Sequence, residues 1–325
     1  MLGAADSAEL GAAARGEPRE VRYRSSDGLS LFARDYGARL SPWLPVICLS
    51  GLSRSGRDFD DLARALASHP ERPRRVLAFD YRGRGQSAWD GSSDNYNPLT
   101  EMGDVFDGMA ALGVPRAAVV GTSRGGIIGM LMAVARPTTV AALVLNDIGP
   151  TIEPRGLARI KTYVGRMPAP DDWEDAERIL RRLHGGQFTG LSDKDWQAYT
   201  RMTFRNDNGR PAGDYDPALA RTLDGIEFDK PVPTLWKEFR MLAGVAVLAI
   251  RGENSDLLSS ETLAAMVAAH PGLESITAPG QGHAPLLIHN QLVQRIAAFV
   301  ASAEGDLAPD AVIARDGARR SDGDE

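Results

Sequence analysis

Apolar runs of strand length alternate with longer segments of helical periodicity along most of the chain. The apolar runs are bounded by turn-forming residues and cover residues 44–50, 75–80, 116–121, 141–147, 245–252 and 273–278. The segments with helical periodicity cover residues 57–68, 99–112, 124–135, 260–269 and 284–302. This alternation predicts a mostly parallel sheet with helices on both faces. Residues 21–37 instead predict an antiparallel hairpin, because the turn-forming Ser26-Asp27-Gly28 joins two strand-like runs.

The interval between Asp147 and Val245 has helical composition and no strong strand candidate. Its helical segments cover residues 154–166, 172–183, 193–205 and 216–226. Ligands of open parallel sheets bind beyond the carboxyl ends of the strands, so an insertion here predicts a helical cap over the ligand site. The predicted organisation is an α/β core at residues 19–149 and 236–303, a cap at 150–235, and disordered ends at 1–18 and 304–325.

Charge and cysteine content narrow the classes of partner. The 325 residues carry a formal net charge of −6 and have no long block of Lys and Arg. The sequence therefore predicts a small-molecule substrate and neither nucleic acid nor a membrane as partner. Cys48 is the only cysteine, which excludes an internal disulfide and a cysteine metal cluster. The beginning of the chain lacks a basic segment followed by an apolar one, so a cytoplasmic location is expected.

A serine between glycines is the first candidate for chemistry. Gly121-Thr122-Ser123-Arg124-Gly125 matches the pattern G-x-S-x-G between a predicted strand and a predicted helix. In such a sharp turn, the glycines allow close approach of the backbone and the helix start offers N–H groups to an oxyanion. The alternative is that Ser123 only caps the helix.

A serine nucleophile needs a histidine base, and the sequence contains five histidines. His69 and His270 each end a helical segment before proline, His184 begins a glycine-rich break, and His289 falls inside the last predicted helix. His283 lies in a Gly/Pro-rich loop between the last strand and the last helix. Such a loop can carry an imidazole to the carboxyl edge of the sheet, so His283 is the predicted base.

Two aspartates can supply the carboxylate that orients the histidine. Asp256 follows the predicted strand 245–252 and precedes a helix, and the order Ser123, Asp256, His283 favours it. Asp147 follows the preceding predicted strand and is the alternative acid. Asp256 can also be a loop or N-cap aspartate without a catalytic role.

This combination resembles the α/β-hydrolase family over about residues 20–302. The resemblance implies an eight-stranded, mostly parallel sheet with an inserted helical cap, and an oxyanion hole made by the backbone N–H groups of Leu52 and Arg124. The family's usual His-Gly pair before the oxyanion residue is here Ser50-Gly51. The stretch "DYRGRGQS" at residues 80–87 resembles a structural turn of the family. It also imitates a dinucleotide fingerprint, but no helix is predicted to follow it, and no cofactor or metal is expected.

The resemblance to bacterial esterases and enol-lactonases favours a serine hydrolase that acts on a small carboxylic ester or lactone. One alternative is a carbon-carbon bond hydrolase of a dienoic acid from aromatic degradation, and another is a non-catalytic hydrolase-like binding protein. An acidic substrate would need cationic groups, and aromatic side chains can line a cap pocket. The candidate substrate-binding residues are Arg54, Arg155, Arg159, Tyr163, Trp173, Trp196 and Trp236.

Overall fold

A computed structural model describes residues 17–225 and 232–305. Its strands are β1 (Arg19–Arg24), β2 (Ser30–Tyr36), β3 (Val46–Leu49), β4 (Val76–Asp80), β5 (Ala117–Thr122), β6 (Val140–Asn146), β7 (Arg205–Asp207), β8 (Arg210–Ala212), β9 (Ala246–Gly252) and β10 (Glu274–Ala278). Eight of them form one sheet in the order β1-β2-β4-β3-β5-β6-β9-β10. The first two pairings, β1 with β2 and β2 with β4, are antiparallel and the others are parallel. The predicted hairpin and the mostly parallel sheet are both confirmed.

Helices cover both faces of this sheet. They are α1 (Asp60–Ala67), α2 (Pro98–Ala111), α3 (Arg124–Ala135), α4 (Pro154–Tyr163), α5 (Trp173–His184), α6 (Asp193–Thr203), α7 (Trp236–Arg240), α8 (Ser260–Ala269) and α9 (Asn290–Ala303). The last helix begins at Asn290 rather than at the predicted residue 284. His289 is therefore its N-cap and not an interior residue. The residues before it form the loop that carries His283.

Alternate residues of the central strands enter two cores on opposite faces of the sheet. In β3, Ile47 and Leu49 join a cluster with residues of α2 and α3, whereas Val46 and Cys48 join a cluster with α1 and α9. This division follows from the twofold alternation of side chains along a strand. Because helices bury both faces, all four residues of β3 are apolar and fully buried.

The segment between β6 and β9 holds α4, α5 and α6 close to their predicted positions. Asp172 caps α5, and Ser192 and Asp195 form a capping box at the start of α6. The fourth predicted helix is a 3₁₀ helix at Pro217–Leu223. The two-stranded β7–β8 hairpin and the short α7 were not predicted. Strands of three residues and a helix of five are too short to show a periodic pattern.

The two end segments that are predicted to be disordered, residues 1–18 and 304–325, lie mostly outside the described residues, and Glu304 differs from that prediction. Glu304, at the start of the predicted tail, is buried and forms ion pairs with Arg74 and Arg72. It also accepts a hydrogen bond from the backbone N–H of Leu44. Glu304 therefore belongs to the packed core. Within the described residues, no helix has the length and apolar character needed to cross a membrane.

Candidate active site

Ser123 occupies a strained turn between β5 and α3. Its backbone angles are φ 52° and ψ −115°, in a region that a residue with a side chain rarely adopts. The turn requires small neighbours: a Cβ on Gly125 would lie 1.9 Å from the Leu49 carbonyl oxygen, and one on Gly121 would lie 2.4 Å from the Gly125 carbonyl oxygen. The glycines of the G-x-S-x-G pattern are therefore steric requirements of this turn.

The loop between β10 and α9 brings His283 to Ser123. The Nε2 atom of His283 lies 2.9 Å from Ser123 Oγ, and its Nδ1 atom lies 2.8 Å from Asp147 Oδ2. With Nδ1 protonated toward the carboxylate, Nε2 is free to accept the serine proton. The structure thus brings together the predicted serine, the predicted histidine and the alternative acid.

Asp147 is held by hydrogen bonds from three sides. Its Oδ1 atom accepts from the backbone N–H of Gly252 at 2.7 Å, and its Oδ2 atom accepts from the Ser255 hydroxyl at 2.6 Å as well as contacting His283. The carboxylate is fully buried. Donors on both oxygens fix its orientation, so the imidazole meets a preorganised acceptor.

The prediction that Asp256 orients the histidine is wrong. Both carboxylate oxygens of Asp256 accept hydrogen bonds from Arg159 of α4, at 2.7 Å and 3.0 Å. Burial raises the pKa of Asp256, but the hydrogen bonds from Arg159 and Gln187, together with the positive charge of Arg159, leave that pKa below its usual value. The two aspartates follow neighbouring strands, and Asp256 is turned toward the inserted segment instead of toward His283.

Asn146 links the three loops of this site. Its backbone carbonyl accepts from the N–H of Ser123 at 3.0 Å. Its side-chain amide donates to Thr122 Oγ1 and to the carbonyl of Pro285, each at 3.0 Å. Asn146 is not among the predicted site residues, since an asparagine at a strand end carries no motif of its own.

The predicted oxyanion residues lie beside Ser123. Leu52 lines the same cavity as Ser123, and Arg124 is the first residue of α3, so its N–H has no acceptor within the helix. Ser50 stands where the family usually has a histidine. Its hydroxyl donates to the carbonyl of Arg54 at 2.9 Å and closes the loop internally.

A buried ion-pair network connects the two predicted oxyanion residues. The fully buried Glu101 accepts from Arg84 through one oxygen and from the Arg124 side chain through the other, both at 2.7 Å. Arg84 also donates from Nε to the carbonyl of Leu52 at 2.8 Å. The positive charge of Arg124 is therefore compensated within the protein by Glu101. Arg84 belongs to the 80–87 turn, for which only a structural role is predicted from the sequence.

The rest of the 80–87 turn has structural partners. Asp80 accepts from the backbone N–H groups of Gly56 and Gln86, and the Ser87 hydroxyl donates to the carbonyl of Asp80. Arg82 pairs bidentately with Asp104. No helix follows the glycines, as expected for a turn that only imitates a dinucleotide site.

A cavity of about 100 Å³ opens at Ser123 between the sheet and the inserted segment. Its polar lining includes Ser123, His283 and Asn146. Side chains of the inserted segment supply apolar walls, namely Ile160, Met167, Leu180 and Met202. A cavity of this size suits a short aliphatic group.

Only two of the predicted substrate-binding residues line this cavity, Arg54 and Tyr163. The guanidinium of Arg54 pairs bidentately with Asp58 at 2.8 Å and 2.6 Å, and it also donates to Thr203. Its charge is thereby compensated within the protein. Arg54 also lies over the ring of Tyr199, 5.1 Å from the centroid.

The other predicted substrate-binding residues lie elsewhere. Arg155 is exposed and Arg159 pairs with Asp256. The three tryptophans have packing and hydrogen-bond partners: Trp173 donates to the Gly209 carbonyl, Trp196 is buried among Phe188 and Tyr199, and Trp236 donates to Thr151. The alternative interpretation, in which aromatics at helical spacing are packing residues, holds for all three.

His184, the last residue of α5, was not predicted to belong to the site but lines the cavity. Burial, together with the positive charges of Arg159 and Arg54, lowers its pKa to about 3. The imidazole is therefore neutral at physiological pH. Only the tertiary structure reveals this residue, because its sequence context is an ordinary helix end before two glycines.

Acid is expected to destabilise the protein through His184. An unfolded histidine titrates near pH 6.5, so below that pH the unfolded chain binds a proton that the folded chain excludes. Stability should fall by about 1.4 kcal/mol per pH unit from this residue alone, until the pH approaches its folded pKa. Melting temperatures measured from pH 7 to 4.5 should decrease more steeply in the wild type than in His184→Phe. The control Phe188→Leu should keep the wild-type slope, and equal slopes in all three proteins would contradict the prediction.

Comparison with known proteins identifies the class to which this fold and site belong. Residues 46–298 match the alpha/beta hydrolase family, and the chain belongs to that family and has its fold. It is 34% identical over 254 residues to the 3-hydroxybutyrate-oligomer hydrolase of Cupriavidus necator, a match that covers 75% of this chain and 83% of the relative.

Two further similarities agree with that assignment. A crystal structure of an alpha/beta hydrolase from Novosphingobium aromaticivorans is 37% identical, with a TM-score of 0.79, and the match covers 88% of this chain and 99% of that one. An sn-1-specific diacylglycerol lipase of Mus musculus is 32% identical over 149 residues, which is 46% of this chain and 44% of the lipase. The chain is a hydrolase of the alpha/beta type.

Proposed function

We propose that the protein is a serine hydrolase that cleaves a carboxylic ester of a small molecule through an acyl-enzyme on Ser123. The observation that carries the proposal is the continuous chain of hydrogen bonds from Ser123 through His283 to Asp147, with distances of 2.9 Å and 2.8 Å. This geometry allows His283 to take the serine proton while the buried carboxylate stabilises the resulting imidazolium.

The reaction proceeds in two acyl transfers. In the first, Ser123 Oγ attacks the ester carbonyl carbon and its proton passes to His283 Nε2. The backbone N–H groups of Leu52 and Arg124 stabilise the oxyanion. The carbon–oxygen bond to the alcohol then breaks, and the alcohol leaves with the proton from His283. In the second transfer, water gives a proton to His283 and attacks the acyl-enzyme. The acid is released as the bond to Ser123 Oγ breaks and His283 returns the proton to that oxygen.

A linear ester is favoured over the other substrates that the sequence leaves open. The relative from Cupriavidus necator is named for oligomers of 3-hydroxybutyrate, in which hydroxy acid units are joined by ester bonds. The compensated charge of Arg54 argues against the dienoic acid of a carbon-carbon bond hydrolase, which needs an unpaired cation for its carboxylate. The aligned Ser123, His283 and Asp147 argue against a binding protein without turnover.

Active-site labelling tests the proposal. A fluorophosphonate should modify the wild type on Ser123, as located by mass spectrometry of the digested protein. Ser123→Ala should not be labelled, whereas Ser53→Ala should be, because Ser53 lines the same cavity but has no histidine partner. Labelling of a folded Ser123→Ala protein, or no labelling of the wild type, would reject a serine mechanism.

A further inference from the structure

The His184 imidazole lies in the wall of the active-site cavity that the inserted segment provides. It is 4% exposed and lines the same cavity as Ser123 and His283. The rings of Tyr163 and Tyr199 pack against it, with centroids 5.3 Å and 5.8 Å away. These contacts hold the imidazole in one place relative to the nucleophile.

The Nδ1 atom of His184 is buried and has no hydrogen-bond partner among the described residues. Buried polar atoms are nearly always paired, and His184 is a residue of the cavity wall, so its unpaired nitrogen indicates a position where a ligand supplies the partner. The imidazole is neutral, because burial and the nearby arginines lower its pKa to about 3. A neutral imidazole suits an uncharged partner.

The chemistry of the surroundings favours a hydroxyl group as that partner. A hydroxyl can donate or accept, so it satisfies Nδ1 in either tautomer of the ring. A carboxylate is disfavoured, because the nearby cations Arg54 and Arg159 are already paired with Asp58 and Asp256. The walls also include apolar side chains such as Leu180 and Met167, which accept the hydrocarbon part of a short chain.

We propose that His184 determines specificity by forming a hydrogen bond to a hydroxyl group on the acyl chain, so that short hydroxyacyl esters are preferred over plain acyl esters. This inference rests on the proposed serine hydrolase function. The acyl chain is the relevant part of the substrate, because it stays attached to Ser123 through both transfers while the alcohol leaves after the first.

A matched pair of substrates tests the assignment. The ratio of kcat/KM for p-nitrophenyl 3-hydroxybutanoate to that for p-nitrophenyl butanoate should be about 10 or more in the wild type, because a site that binds a hydroxyl discriminates against the analogue that lacks it. His184→Phe keeps an aromatic ring but removes the nitrogen, and its ratio should fall to about 1. His184→Asn places an amide close to the position of Nδ1 and should restore part of the preference.

Phe188→Leu is the control for packing. Phe188 contacts the His184 ring but does not line the cavity, so this variant should change kcat/KM for both esters in proportion and keep the wild-type ratio. Equal rates for the two esters in the wild type, or an unchanged ratio in His184→Phe, would overturn the role of His184. A wild-type preference for p-nitrophenyl hydrogen succinate over both esters would do so as well, since it would indicate recognition of a carboxylate.

The failure of this inference is distinct from the failure of the proposed function. A wild type that reacts with fluorophosphonate at Ser123 and hydrolyses both esters without preference retains the serine mechanism and loses only the specificity role. A wild type that reacts with neither ester nor the fluorophosphonate loses both. If His184→Phe does not fold, the wild-type ratio and the ratio in His184→Asn still decide the outcome.

Discussion

Asp147→Asn is expected to lower kcat by about 10⁴-fold, because an amide in place of the carboxylate favours the wrong histidine tautomer and no longer stabilises the imidazolium. The Asp147 side chain is the acceptor 2.8 Å from His283 Nδ1. Asparagine can retain the contacts of the remaining oxygen with Gly252 or Ser255. The fold should therefore survive, and the loss should appear in kcat measured with p-nitrophenyl butanoate.

Asp256→Asn is the matched control, with the same change of atoms at the end of the neighbouring strand. It removes a charge from the ion pair with Arg159, in which each partner is more than a fifth exposed, and should leave kcat within about tenfold of the wild type. The opposite ranking of the two variants would show that Asp256 is the catalytic acid. Circular dichroism and melting temperature should be measured for both proteins, so that a loss of folding is not mistaken for a loss of catalysis.

The sequence predicts the sheet and the contact between Ser123 and His283 because both depend on local patterns. Buried parallel strands are continuous apolar runs, and the turn around Ser123 needs glycines where a Cβ would meet backbone atoms. His283 could be selected because it lies in a loop between the last strand and the last helix. Each of these features depends on a short stretch of the sequence around it.

The choice of acid could not be made in the same way. Asp147 and Asp256 each follow a strand whose carboxyl end lies at the same edge of the sheet. What separates them is Arg159, which lies far away in the sequence and takes both oxygens of Asp256. The role of His184 is equally nonlocal, since it arises from an unpaired nitrogen in a wall formed by distant helices.

Glu101→Gln is expected to reduce both stability and turnover. The fully buried carboxylate compensates two guanidinium groups, those of Arg84 and Arg124, and removal of one partner from a buried ion pair costs about 3–5 kcal/mol. Denaturant unfolding measures this loss. Glu177→Gln removes a carboxylate from a partly exposed pair with Arg181 and should cost about 1 kcal/mol or less. Equal effects of the two substitutions would contradict the importance of the buried network.

The effect on turnover follows from what the network holds in place. Arg84 fixes the carbonyl of Leu52, and Glu101 fixes Arg84, so a loosened network displaces an N–H donor of the oxyanion hole. Loss of one such donor lowers kcat by about 10²- to 10³-fold. Arg84→Lys keeps a positive charge near Glu101 but lacks the planar guanidinium that contacts both Glu101 and the Leu52 carbonyl. This variant should therefore lower kcat with little change in KM. Its loss of stability should be smaller than that of Glu101→Gln. A destabilised Arg84→Lys protein with wild-type kcat would mean that these residues stabilise the fold and do not position the oxyanion hole.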